Sequence, residues 1–367
     1  MFKKALFPGK YIQGAGALRE IPSLTNLFGK QGLILASPTA HGKILPESGI
    51  DFSSGSMAMA PLRFGGECCE KELSRIDGLI REHNVDVLVG MGGGKTIDTA
   101  KIAADRARIP VIVVPTVAST DAPCSGCAVL YTEKGIFESV YYQKSNPAAV
   151  VVDTQVIAQA PLRFLVSGMG DALATWFEAR SCDATQSETP CGGLGTLTGL
   201  SLARLCYDTL LKHGVSAKIA AERHIVTPAL EHIVEANILL SGIGFESGGL
   251  GSAHSIHNGL TVLEETHAYY HGEKVAFGVL AGLHLTDAAP EEAATVYSFC
   301  EQVGLPTTLS DIGLKNCGQD RLMQVAAKAC APEECIHNEA GRITAERVLN
   351  SILAADAMGE HRRNAMR

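Results

Sequence analysis

The sequence has 367 residues, 46% of them hydrophobic and 19% charged, with a formal net charge of −8. That length suits two domains and that composition an ordinary globular protein. No apolar run reaches the roughly 18 residues of a membrane span, and no run of Lys and Arg could neutralise a phosphate backbone, so neither membrane nor nucleic acid is an expected partner.

At the start, Lys3 and Lys4 are followed by Pro8 and Gly9 before any apolar signal region can develop, so a cytoplasmic protein is expected. The eleven cysteines are odd in number and irregularly spaced, which fits free thiols in a reducing compartment. Cys330, Cys335 and His337 could be drawn as a metal site, but plain packing is the better reading.

In chain order, the first apolar runs are Gly32–Ala36, Val85–Val89, Pro110–Pro115 and Ala148–Asp153. Continuous Val/Ile runs of this kind suit strands buried on both faces of a parallel sheet. Between them, residues 69–82 and 96–106 show the three- and four-residue apolar spacing of helices. This is βαβ alternation. After about residue 160 the Val runs vanish, and helical stretches follow at 171–180, 197–211, 228–240, 274–283 and 344–355. The expected architecture is an α/β nucleotide-binding domain over residues 1–160, packed closely on an all-α domain over residues 161–367.

Gly90-Met91-Gly92-Gly93-Gly94-Lys95-Thr96 reads as a glycine-rich turn after the strand ending at Val89. Glycines let a backbone approach a phosphate, and a helix start offers free amides to an anion. The stretch is one residue short of a P-loop, and Lys95 stands where a dinucleotide fingerprint has its third glycine. A second polar loop, Thr116 to Ser125, leaves the next strand. Thr116, Ser119 and Ser125 can bond a phosphate or ribose, and Asp121 can hold a substrate hydroxyl, although Ser119 and Asp121 would also serve as helix caps. Asp171 follows Gly168-Met169-Gly170 and reads as opening a helix. With His254 and His271 it makes a carboxylate-plus-two-imidazole set suited to Zn²⁺ or Fe²⁺ with an open position. His257, three residues beyond His254, is a further ligand or an outer partner.

At these residues the chain resembles the iron- and zinc-containing alcohol dehydrogenase family from Pro8 to about His337. The similarity is densest in Gly92–Thr96, Ala118–Ser125, Gly170–Ala179, Gly244–Leu250 and Tyr269–Gly278. The resemblance implies a dehydroquinate-synthase-like two-domain fold, with metal and cofactor meeting in a cleft. It assigns the metal to Asp171, His254 and His271, and NAD to Gly94, Lys95, Thr116, Ser119, Ser125, Cys127 and Tyr131, with Ser37 at the adenosine ribose. Asp121 becomes a substrate contact. The implied reaction is zinc- and NAD-dependent oxidation of glycerol to dihydroxyacetone by a homo-oligomer, often an octamer. Two departures stand out: Ser37 replaces the family's usual Asp, which weakens the case against NADP, and Cys127 replaces an aliphatic residue. No arginine lies near Ser37, only His41 and Lys43, so NAD is favoured. Another alcohol or a hydroxy acid remains open as substrate. So does a dehydroquinate-synthase-like lyase reaction, although the stretch between the proposed ligands is poor in the cations that its phosphate would need.

Overall fold

Aliphatic runs without a polar face are stable as strands only where both faces are covered, and the sheet of this protein is built that way. The computed structural model describes residues 1–52 and 60–365. Strands β1 (Tyr11–Gly14), β2 (Gly32–Ala36), β3 (Leu62–Arg63), β4 (Val87–Gly92) and β5 (Val111–Pro115) come first. An antiparallel hairpin of β6 (Cys127–Tyr131) and β7 (Phe137–Tyr142) follows, then β8 (Ala149–Asp153). Six of these form one parallel sheet in the order β1-β8-β5-β4-β2-β3. Strands β2, β4, β5 and β8 are buried at every position. Each fully buried Val, Leu or Ile contributes roughly 1.5–3 kcal/mol to that core.

From β3 across to β8 the order is that of a doubly wound sheet whose chain reverses direction between β2 and β4. Ligands of open α/β sheets bind outside the carboxyl ends of the strands at such a switch point. Helix α1 (Glu70–Glu82) leads into β4, and helix α2 (Gly94–Ala107) leaves it. The glycine-rich stretch is not a turn of its own: β4 continues through Gly92 and the next helix starts at Gly94, leaving Gly93 alone between them. A Cβ on Gly90 would sit 2.5 Å from the Ala100 Cβ, and one on Gly92 would sit 2.8 Å from the Ser37 Cβ and the Thr96 side chain. These glycines therefore let α2 and the end of β2 lie directly against β4.

The chain divides into two compact units. The α/β unit comprises Leu6–Ala160 and Ala220–Gly242; the helical unit comprises Met1–Ala5, Pro161–Ile219 and Ile243–Arg367. Residues 220–242, which the sequence groups with the helices, are tied into the α/β unit by polar bonds. Gln13 donates to the Glu231 carbonyl at 3.0 Å, and Asn237 donates to the Ala118 carbonyl at 3.0 Å.

The helical unit is built from α3 (Leu162–Thr185), α4 (Leu197–Glu222), α5 (Ser252–Leu260), α6 (His271–Leu285) and further helices at Pro290–Val303, Gln319–Ala329 and Ala345–Ala365. Its exception to helix is a two-residue pair, β9 (Glu188–Thr189) with β10 (Gly193–Leu194), where Lys4 donates to the Leu194 carbonyl at 3.0 Å. Asp171 does not open a helix; it lies in the middle of the 24-residue α3. The glycines before it serve a close approach instead of a break. A Cβ on Gly170 would collide with the Gly272 carbonyl, and one on Gly272 with the Ser167 carbonyl. The first turn of α6 thus lies backbone against backbone on the middle of α3. None of the eleven cysteines is in a disulfide, and among the described residues no helix is long and apolar enough to cross a membrane.

Candidate functional site

The close approach of α3 and α6 sets His271, the first residue of α6, beside the buried Asp171. Helix α5 brings His254 to the same carboxylate. His271 Nε2 lies 3.1 Å and His254 Nε2 3.4 Å from Asp171 Oδ1. One ligand atom from each of the three residues lies within 4.8 Å of the others. With metal–ligand bonds of about 2.0–2.1 Å, the edge of a tetrahedron is about 3.3–3.4 Å, so the two separations from Asp171 are close to the edges of such a site.

The outer partners say which nitrogen of each ring is available. Glu178, on α3 two turns after Asp171, accepts from His254 Nδ1 at 2.6 Å. A carboxylate only accepts, so the proton of His254 is on Nδ1 and its Nε2 lone pair faces Asp171. Two acceptors facing each other require positive charge between them, either a second proton or a cation. Burial works against charge on His254, yet Glu178 and Asp171 raise its pKa well above the ordinary value. Burial also opposes ionisation of Asp171, but His271 and His254 hold its pKa far below the usual carboxylate range. The donor set, one carboxylate and two imidazoles, fits a divalent zinc or iron ion.

His257 is an outer partner. Its Nε2 bonds His271 Nδ1 at 3.1 Å, and its Nδ1 bonds the Asn258 side-chain oxygen at 3.0 Å. Burial, together with His271, Lys274 and His254, pushes its pKa well down, which keeps it neutral. Asn258 in turn donates to Glu334 at 2.8 Å. Cys330, Cys335 and His337 form no metal-ligand group among the described residues; His337 Nε2 bonds the Ala331 carbonyl at 3.1 Å.

In the α/β unit, the carboxyl ends of β2, β4 and β5 bring several of the expected nucleotide residues together. Ser37 N donates to the Met91 carbonyl at 2.8 Å, and Thr116 N donates to the Gly92 carbonyl at 3.0 Å. Gly94 begins α2 with nothing within 4 Å of the position of a Cβ. Lys95 reaches over the Tyr131 ring at 4.8 Å while paired with Glu67 at 2.5 Å. Ser125 Oγ and Cys127 Sγ are 3.3 Å apart. Ser119 is half-buried in the loop between Thr116 and Asp121. The Asp121 side chain makes no cap bond to the short helix after it; Ser241 donates to Asp121 Oδ2 at 2.8 Å instead.

Sequence reasoning passed over three kinds of residue here. Lys101, in the helix after the glycines, is fully buried and its ammonium donates to the Ala122 and Cys127 carbonyls at 2.6 and 2.8 Å. It clamps the loop that carries Asp121 and Ser125. Asn237 and Ser241 hold the same loop, and their four-residue spacing in an apolar helical stretch was the available signal. Glu178 had one too, since seven residues after Asp171 falls on the same helix face.

A family model described as iron-containing alcohol dehydrogenase matches residues 8–154. Over 365 residues the chain is 52% identical to a glycerol dehydrogenase of Thermotoga maritima, covering 99% of this chain and 100% of that protein. It is 48% identical over 354 residues to a glycerol dehydrogenase of Pseudomonas putida, with 96% and 97% covered. Among solved structures, a probable glycerol dehydrogenase from Sinorhizobium meliloti 1021 matches with a TM-score of 0.91 at 45% identity, covering 98% of this chain and 100% of that one.

Proposed function

We propose, for a chain that belongs to the iron-containing alcohol dehydrogenase family and is therefore an oxidoreductase, that it oxidises glycerol to dihydroxyacetone with NAD and a zinc ion. The observation that carries this reading is the convergence of Asp171, His254 and His271 on one point, in a chain 52% identical to a glycerol dehydrogenase. The same donor set accepts ferrous iron. A divalent ion in such a set supplies Lewis acidity toward an alcohol oxygen, and a nicotinamide supplies a hydride acceptor.

The chain's own residues prepare that chemistry. Asp171 gives the set a single negative charge, so a dication held there keeps a net positive charge that favours an ionised oxygen. Glu178 and His257 fix the two imidazole rings so that both Nε2 atoms face Asp171. In the α/β unit, the N-terminus of α2 with Gly94 and Lys95 suits the pyrophosphate. Ser37 lies at the ribose end, and Thr116, Ser119, Ser125, Cys127 and Tyr131 complete the cofactor contacts. Asp121, oriented by Ser241, is the proposed substrate contact. The reading includes a homo-oligomer in the cytoplasm.

The test is to incubate the protein with glycerol and NAD and quantify both products. One NADH per dihydroxyacetone is expected. NADH formed with glyceraldehyde in place of dihydroxyacetone would move the oxidation to a terminal carbon, and no NADH would move the reading to another alcohol.

A further inference from the structure

Helix α5 begins against two buried carboxylates, and the two do different things. Glu178 and Glu339 are 1% and 4% exposed. Glu178 Oε1 accepts from the backbone N–H of Gly251 and of His254, both at 2.9 Å. Glu339 Oε1 accepts from the backbone N–H of Ser252 at 3.0 Å, and its other oxygen accepts from Ser181 Oγ at 2.6 Å. Three amides at the start of α5 that no helical carbonyl can reach are thereby satisfied. Both carboxylates also favour the positive end of that helix. Glu178 alone touches an imidazole, through the 2.6 Å bond from His254 Nδ1. The other imidazole, His271, leans on neutral His257 rather than on a carboxylate.

We propose that Glu178 is the positioning residue that sets the metal affinity of the site, by holding the His254 proton on Nδ1 and its Nε2 toward Asp171, whereas Glu339 only caps the helix. This rests on the metal reading above. A carboxylate accepting from the far nitrogen fixes the ring's tautomer and orientation and makes its near nitrogen a stronger donor. Glutamine at 178 keeps an oxygen for the backbone amides. It cannot give an acceptor both to them and to Nδ1 without turning its amide hydrogens toward one of them.

The experiment uses full-length, metal-stripped protein and reads two things: the zinc dissociation constant by competition with a chromogenic chelator, and the visible absorption of the cobalt-loaded form. Glu178→Gln is expected to bind zinc about 10–100-fold more weakly and to shift the cobalt bands. Glu339→Gln should share the loss of thermal stability but keep wild-type affinity and bands. His271→Ala is the control and should lose the metal. If His271→Ala binds zinc as the wild type does, the ligand assignment fails and the proposal falls with it. If His271→Ala loses the metal while Glu178→Gln retains wild-type affinity, the proposal alone is overturned. Equal losses in Glu178→Gln and Glu339→Gln would also overturn it, because both carboxylates would then act only as caps. Should Glu178→Gln not fold, ¹⁵N NMR of histidine-labelled, zinc-loaded wild type decides the matter. A His254 proton on Nδ1 is expected, and one on Nε2 contradicts the proposal.

Discussion

Ser37 shows how one side chain can bear on cofactor choice. Its hydroxyl accepts from the Ala40 N–H at 3.2 Å, capping the helical stretch after β2. It sits at the carboxyl end of β2, beside the start of α2. Aspartate would cap as well as serine, while adding a carboxylate that bonds a ribose diol and repels a 2′-phosphate. Ser37→Asp should therefore raise the ratio of kcat/KM for NAD over NADP by about tenfold or more, since a bond to a charged group is worth about 1.5–3 kcal/mol. An unchanged ratio would remove Ser37 from the ribose site. Asp98 gives a second prediction. Burial pushes its pKa from 3.8 up to about 6 against the pull of Lys101 and the Val129 amide. A carboxyl group with a raised folded pKa contributes its full stability below the unfolded value and loses it as pH rises through the folded one. Two units correspond to about 3 kcal/mol. Relative to Asp98→Asn, the wild type should lose stability to denaturant between about pH 4 and pH 7; parallel pH profiles would contradict this. The proposed metal ligands Asp171, His254 and His271 could be named from the sequence because they sit in or beside the motifs that carry the family resemblance. Glu339 and Lys101 could not, because a buried charge reads as an ordinary surface residue until its partners elsewhere in the chain are known.

Among the elements, the strands were the easier to read. Continuous Val/Ile runs have few alternatives, and β2, β4, β5 and β8 lie within three residues of the expected bounds. Glycine misled in both units, for one reason. Gly90 and Gly92 within β4, and Gly170 within α3, look like chain breaks, whereas each allows a neighbouring element to come close. Strand β1 and the β6–β7 hairpin were missed, since neither is a buried apolar run. The α3–α6 contact yields a direct prediction. Gly272→Ala forces a methyl against the Ser167 carbonyl and to 2.9 Å from the Asp171 amide. It should cost about 1–3 kcal/mol, as overpacking does, and weaken metal binding by moving His271. Gly78→Ala, on α1 with nothing within 4 Å of the new Cβ, should instead stabilise by about 0.5–1 kcal/mol. Urea denaturation of the two variants checks both signs. Equal stability for Gly272→Ala and wild type would show that α6 does not need this approach.

For the whole molecule, the change of texture near residue 160 was visible as a loss of Val runs. The return of residues 220–242 to the α/β unit was not. Those residues have helical periodicity like their neighbours, and what assigns them is packing against elements of the α/β unit far away in the chain, with polar bonds such as Asn237 to the Ala118 carbonyl. The division matters for function because the proposed metal ligands all belong to the helical unit and the proposed NAD contacts to the α/β unit. Damage to one set should therefore spare the other. The most direct measurement compares wild type with His271→Ala, each stripped of metal and then supplied with zinc. It follows glycerol-dependent NADH formation alongside NAD affinity. The expected result is activity in the wild type that is lost on stripping and restored by zinc, none in His271→Ala under either condition, and similar NAD affinity in both proteins. Wild-type turnover by His271→Ala, or by the stripped wild type without zinc, would contradict the account.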